Sequence, residues 1–194
     1  MKRWRMILLF SLMNLCIYAQ QDDFYKRLSA AAIELTKDKV TYDPRYYSIP
    51  YPNGDVPSGK GVCTDVIIRA YRKLGIDLQQ KIHVDMKANF GKYPRKWGMK
   101  ATDRNIDHRR VPNQATYFSR FGIVLKISDK GSDYSPGDIV TWDLGGGVTH
   151  VGIVTDRKSS DSKRPLIVHN IGRGQVLEDC LFSFFRITGH YRYK

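Results

Sequence analysis

The chain has 194 residues, of which 42% are apolar, 26% charged and 12% aromatic, with a formal net charge of +13. That is too apolar and too aromatic for a disordered chain, and long enough to enclose one sizeable core. No repeat of fixed period is visible, which argues against solenoid and propeller architectures.

Residues 1–19 read as an address. Lys2, Arg3 and Arg5 precede an apolar run over 6–18 that closes at Ala19, before Gln20-Gln21-Asp22-Asp23. This is the pattern of a secretory signal peptide cleaved after Ala19. The run is short for a membrane span, and an uncleaved anchor is the alternative. Cys16 invites a lipidation reading, but Leu15 stands where a small residue is expected. Cleavage would remove three basic residues and no acidic one, leaving a chain that is still strongly basic. A basic exported protein suits the anionic polymers and free carboxylates of a cell envelope. The aromatic-interleaved basic pattern of nucleic-acid modules is absent. Nothing after residue 19 is long enough to cross a bilayer. The expectation is a single domain over 20–194, periplasmic or secreted, monomeric, with no transmembrane anchor after cleavage and no nucleic-acid partner.

Helical periodicity opens the domain. Phe24, Leu28, Ala31, Ala32 and Leu35 predict an amphipathic helix over 22–38. Proline and glycine punctuate 42–60, a long loop of the kind that often carries function. Cys63 opens the next helix, whose buried stripe is Val66, Ile67, Ala70, Tyr71 and Leu74, with Gly75 as its stop. Asp77 caps a further helical pattern reaching about Phe90. Residues 91–112 read as irregular, polar and basic, and 113–120 as a short helix closed by Gly122. Beyond Gly122 the period changes to alternation. Strands are predicted at 123–127, 138–142, 150–155, 166–170 and 187–193, with turns at Pro136-Gly137 and Gly145-Gly146-Gly147. Helices first and strands second predict an α+β fold, an antiparallel sheet packed on the Cys63 helix.

Removing the leader leaves Cys63 and Cys180. In an oxidising compartment they could be bridged. The alternative is a reactive thiol at Cys63 and an apolar, buried one at Cys180. Cys63 stands at a helix N-terminus, where unpaired amides and the dipole favour the thiolate. A thiolate of lowered pKa is therefore expected there. His150, between a glycine-rich turn and Gly152, is a candidate base with an approachable ring. A base needs a polar neighbour to orient it, and His169 or Asn170 on an adjacent strand is available.

These segments together resemble the NlpC/P60 cysteine peptidases, papain-like enzymes that cut peptidoglycan stem peptides. The likeness rests on Tyr51 twelve residues before Cys63, then Pro136-Gly137-Asp138, His150-Val151-Gly152-Ile153 and Ile167-Val168-His169, in that order. It spans roughly 46–193. A closer resemblance is to DUF1287, a bacterial family of unknown function. It is carried by Asn105-Ile106-Asp107-His108-Arg109-Arg110-Val111-Pro112-Asn113 and Ile187-Thr188-Gly189-His190-Tyr191-Arg192-Tyr193. The resemblance implies a papain-like NlpC/P60-type fold and hydrolysis of amide bonds in peptidoglycan peptides, without cofactor or metal. It gives Cys63 as nucleophile, His150 as base and His169 as the orienting group. Tyr51 becomes a substrate or oxyanion-side residue, and Asp65 a further substrate-binding candidate. The chain departs from that pattern at Val62-Cys63-Thr64-Asp65, where the peptidases usually have Asp-Cys-Ser-Gly. It also carries a long insertion at about 77–122.

The insertion holds His83, Asp85, Asp103, Asp107, His108, Arg109 and Arg110. Arg109 and Arg110 either bind substrate carboxylates, whose geometry guanidinium matches, or pair with acids inside the insertion. The second is the commoner fate of such clusters. Two other classes stay open. One is a metal-dependent hydrolase drawing on His83, Asp85, His108, His150 or His169, although no His-Glu-x-x-His or Cys-x-x-Cys pair is present. The other is an inactive wall-binding module of the same fold.

Overall fold

The structure is a computed structural model and describes residues 23–184 and 186–194. The expected leader and its cleavage point lie outside these residues. The first helix, α1, covers 23–35. Its apolar side, including Leu28, Ala32 and Leu35, is buried as the periodicity predicts. A two-residue parallel ladder follows, β1 (Thr41–Tyr42) with β2 (Lys60–Gly61). It pins both ends of the 42–60 loop, and such short pairing leaves no periodic trace in a sequence.

Helix α2 (Cys63–Lys73) begins at the thiol. Asp65, in its first turn, accepts the Val62 amide at 2.7 Å. At the other end Gly75 adopts φ +80°. Ile76 N–H then reaches the Tyr71 carbonyl at 3.1 Å and Gly75 N–H the Arg72 carbonyl at 2.9 Å. This is a Schellman closure, which glycine permits without a Cβ penalty. The insertion contributes α3 (Leu78–Ala88), capped by the Asp77 carboxylate on the Gln80 amide, and α4 (Val111–Phe121). Short 3₁₀ turns at Phe90–Lys92 and Asp107–Arg109 punctuate the stretch between them. Helix α4 starts two residues before the expected position because Pro112 suits a first helical turn. Asp85 joins α3 to α4 through Arg120 at 2.7 Å.

The remaining strands are β3 (Ile123–Val124), β4 (Ile139–Asp143), β5 (Thr149–Lys158), β6 (Pro165–His169), β7 (Val176–Glu178) and β8 (Arg186–Arg192). They form one antiparallel sheet in the order β3-β8-β4-β5-β6-β7. The strand expected over 123–127 shrinks to two residues. Ile123, Val124 and Ile127 are exposed, so no burial rewards continued alternation. The sheet divides two cores. On one side Val151, Ile153 and Val168 pack with α1, α2 and α4 around Tyr71 and Phe118. On the other Trp142, Val154 and Ile167 pack with Tyr134, Cys180 and Leu181. The α+β class expected from helices followed by strands is what the chain adopts.

Candidate active site

Helix α2, which starts at Cys63, packs on β5 and β6, the strands that carry His150 and His169. The recorded β5–β6 pairing runs inward from Ile153↔Val168. Val151 lies beyond it, and its backbone amide faces the Cys63 sulfur, as do the amides of Thr64 and Cys63. The sulfur therefore sits against the peptide unit that follows His150, in a pocket of N–H donors. Asn170 holds this junction together. Its side-chain amide donates to the Gly61 carbonyl at 3.2 Å, tying the end of β6 to the chain just before Cys63.

Alternation sends His150 to the Trp142 side of the sheet. There its Nε2 lies 2.9 Å from Nδ1 of His169. The rings meet edge to face, with centroids 5.0 Å apart. Trp142 and Phe184 wall the His150 ring at 5.8 and 5.3 Å. Nε2 of His169 in turn lies 3.0 Å from Oε2 of Glu178 on β7, whose other oxygen pairs with Arg173. No hydrogen bond joins Cys63 to His150 in this conformation among the described residues.

Burial governs the titration of these groups, and it overturns two expectations. His150 is only 2% exposed, so its ring is enclosed rather than approachable. Desolvation, then the neighbouring His169, pushes its pKa down to about 3. Burial likewise lowers His169, with the Glu178 hydrogen bond opposing. The Cys63 thiol is pushed up to about 12, because loss of water outweighs the backbone amides that favour the anion. The lowered thiol pKa expected from the helix N-terminus is thus absent. Amide dipoles alone do not offset burial of this depth. The resting pair is a neutral thiol and a neutral imidazole. Cys180 is also free, buried and pushed up to about 12. It belongs to the core on the other side of the sheet, so the two cysteines are unbridged.

The expected substrate-binding residues separate. Asp65 and Arg109 bind each other in a forked pair, Nε to Oδ1 at 2.9 Å and Nη2 to Oδ2 at 3.0 Å. Their side chains are 3% and 2% exposed. This corrects their assignment to substrate, since neither presents a free charge. Arg110 differs. Its guanidinium stacks over Trp97 at 4.5 Å and touches the Met99 sulfur, with no carboxylate partner among the described residues. Tyr51 packs on the insertion. Its ring packs against His83 at 5.4 Å and under Arg104 at 5.8 Å. Tyr42 lies in the field of Cys63, and its hydroxyl is held above its ordinary pKa by partial burial, then by Cys63 and Asp65.

His83 and Asp85 of the insertion are held by neighbouring side chains. Nδ1 of His83 pairs with Asp107 at 3.2 Å, and Asp85 is taken by Arg120, Tyr93 and Asn89. Among the described residues no three His, Cys, Asp or Glu side chains converge as a metal-binding group. The insertion does build one wall of a groove of about 380 Å³. Pro94, Lys96 and Pro112 face Thr141, Thr149 and Thr188 across it. Thr141 pairs with Val151 across the strands and Thr149 directly precedes His150, so the groove borders the thiol site.

An α+β domain with a cysteine at a helix start and a buried histidine pair on the adjoining strands defines the class. The chain belongs to the family described as Domain of unknown function (DUF1287), which matches residues 29–193. It is 52% identical over 152 residues to "Uncharacterized protein YijF" of Escherichia coli (strain K12), covering 78% of this chain and 73% of that protein. No solved structure matches the chain.

Proposed function

We propose that this protein is an exported cysteine hydrolase of papain-like, NlpC/P60-type architecture that cleaves amide bonds in peptidoglycan stem peptides. The observation that carries this reading is the Cys63 sulfur at the start of α2, against the Val151 amide of the strand that bears His150. In this scheme the imidazole of His150 takes the thiol proton as Cys63 attacks the carbonyl carbon. The S–H bond breaks, a C–S bond forms, and the carbonyl oxygen becomes an oxyanion facing nearby backbone N–H groups. The proton then passes to the departing amine, and water hydrolyses the thioester. With both groups neutral at rest, the charge separates only as the substrate is attacked. The groove beside Thr149 offers a place for an extended peptide, with Lys96 and Arg110 near its insertion wall.

The test is incubation of the purified mature protein with muropeptides, followed by mass analysis of the products. New amine and carboxylate termini from the wild type, and none from Cys63→Ala, are expected. Burial of the sulfur favours a second reading, a wall-binding module without turnover. Tight binding of muropeptides with no product, equal in wild type and Cys63→Ala, would replace the first reading with the second.

A further inference from the structure

We propose that Glu178 is a positioning residue that selects, through His169, the tautomer of His150 in which Nδ1 is the bare nitrogen. The inference deepens the hydrolase reading and rests on it for the role of His150 as base.

The argument is one of donors and acceptors. An ionised carboxylate only accepts hydrogen bonds. Oε2 of Glu178 lies 3.0 Å from Nε2 of His169, so that nitrogen carries the hydrogen. A neutral imidazole has one ring hydrogen, which leaves Nδ1 of His169 as an acceptor. The nitrogen 2.9 Å from it, Nε2 of His150, must then be the donor. His150 has spent its single hydrogen, and its Nδ1 holds a lone pair. Both rings are buried, and desolvation favours the neutral form of each.

Nδ1 of His150 has no hydrogen-bond partner among the described residues, and it is the ring nitrogen nearer the strand backbone. The next amide along that backbone, Val151, faces the Cys63 sulfur. Without the carboxylate, the two rings could equally bond with Nδ1–H on His169 and Nδ1–H on His150. That arrangement would put a hydrogen, rather than a lone pair, on Nδ1 of His150.

The fold makes the selection rigid. Glu178 pairs with Ile167 and His169 with Val176, so the two side chains are diagonal neighbours on one face of β6 and β7. Arg173 occupies Oε1, leaving Oε2 to the ring. Phe184 packs edge-on against both histidines. When Cys63 gives up its proton, the S–H bond breaks and an N–H bond forms at Nδ1 of His150. The new imidazolium still donates from Nε2 to His169, so no other proton moves. The charge of Glu178, one ring away, offsets the new cation.

The test uses the mature protein labelled with ¹⁵N. Long-range ¹H–¹⁵N correlation distinguishes protonated from bare ring nitrogens, and iodoacetamide, with peptide mapping, reports the reactivity of Cys63. In the wild type both His150 and His169 are expected as Nε2–H tautomers. In Glu178→Gln the amide can donate as well as accept, so the His150 signals shift toward the other tautomer. Alkylation of Cys63 slows by about tenfold, less than the roughly 10²–10⁴-fold of a positioned base, because the base is misoriented rather than removed. Glu178→Ala should act in the same direction, and the near-isosteric Gln variant keeps the test valid should the Ala variant not fold. An Nδ1–H His150 in the wild type, or unchanged tautomers and alkylation in folded Glu178→Gln, would overturn the proposal. A wild type with the expected tautomers but no muropeptide cleavage would sink the hydrolase reading alone.

Discussion

Nε2 of His150 and Nδ1 of His169 lie 2.9 Å apart across β5 and β6, with neither side chain open to solvent. The pair makes His169 a partner of the base rather than a second base. His150→Ala should remove nearly all amide hydrolysis, as Cys63→Ala should. His169→Gln or His169→Asn should retain more activity than His169→Ala, since an amide can still accept from Nε2 of His150. Single-turnover rates on one muropeptide decide the order. Equal and complete loss in all three His169 variants would mean that His169 itself carries a proton.

Acid should destabilise the protein before its carboxylates titrate. His150 and His108 are each pushed down to about 3 by burial, with His169 and Arg109 as the next causes. Their ordinary value is 6.5, so the unfolded chain binds more protons than the native one between that pH and about 3. Their stabilising effect is complete above that window and drains away as pH falls through it. Tm at pH 4 should be roughly 5–10 °C below that at pH 7. Nδ1 of His108 is buried without a hydrogen-bond partner among the described residues. His108→Leu should therefore fold and flatten this acid limb, because an unsatisfied polar group is replaced by an apolar one. A steeper limb in the variant would count against the assignment.

The two adjacent arginines should behave oppositely. Arg109→Ala leaves Asp65 ionised and buried, which costs about 3–5 kcal/mol. Asp65→Leu combined with Arg109→Met should recover much of that loss, since both charges go together. Arg110→Ala should leave Tm nearly unchanged while raising KM for substrates with a free carboxylate. Urea melts and Michaelis–Menten kinetics on the same preparations separate the outcomes.

Filling the groove should affect substrate rather than fold. Thr188 is exposed on its wall, with its hydroxyl 3.0 Å from that of Thr141. Thr188→Trp should raise KM several-fold with little change in Tm. Unchanged KM would place the substrate elsewhere.

The elements with a full period were legible in the chain. The Val66–Ile67–Ala70–Tyr71 stripe and Gly75 gave α2 closely, and alternation gave the central strands. The histidine pair followed from those strands, because alternation along β5 and pairing with β6 put both rings on one face. Glu178 was not legible, since β7 has three residues and carries no pattern. Tyr42 was missed for a related reason. Its position depends on how the 42–60 loop is tied at β1 and β2, which spacing along the chain does not encode. The state of the thiol was misread because a helix N-terminus is visible in sequence and the depth of burial is not.

The Asp65–Arg109 pair has a further consequence for how the molecule opens. The same guanidinium donates to the Arg45 carbonyl at 3.1 Å and the Asp43 carbonyl at 3.4 Å, while Thr64 donates to the Arg109 carbonyl at 3.1 Å. Three distant stretches of chain thus share one anchor, and parting the start of α2 from Arg109 would leave two unpaired charges. Amides around 43–45, at the start of α2 and at the start of α4 should exchange with deuterium as one cooperative block. The insertion is then integral to the native ensemble rather than an appendage to it.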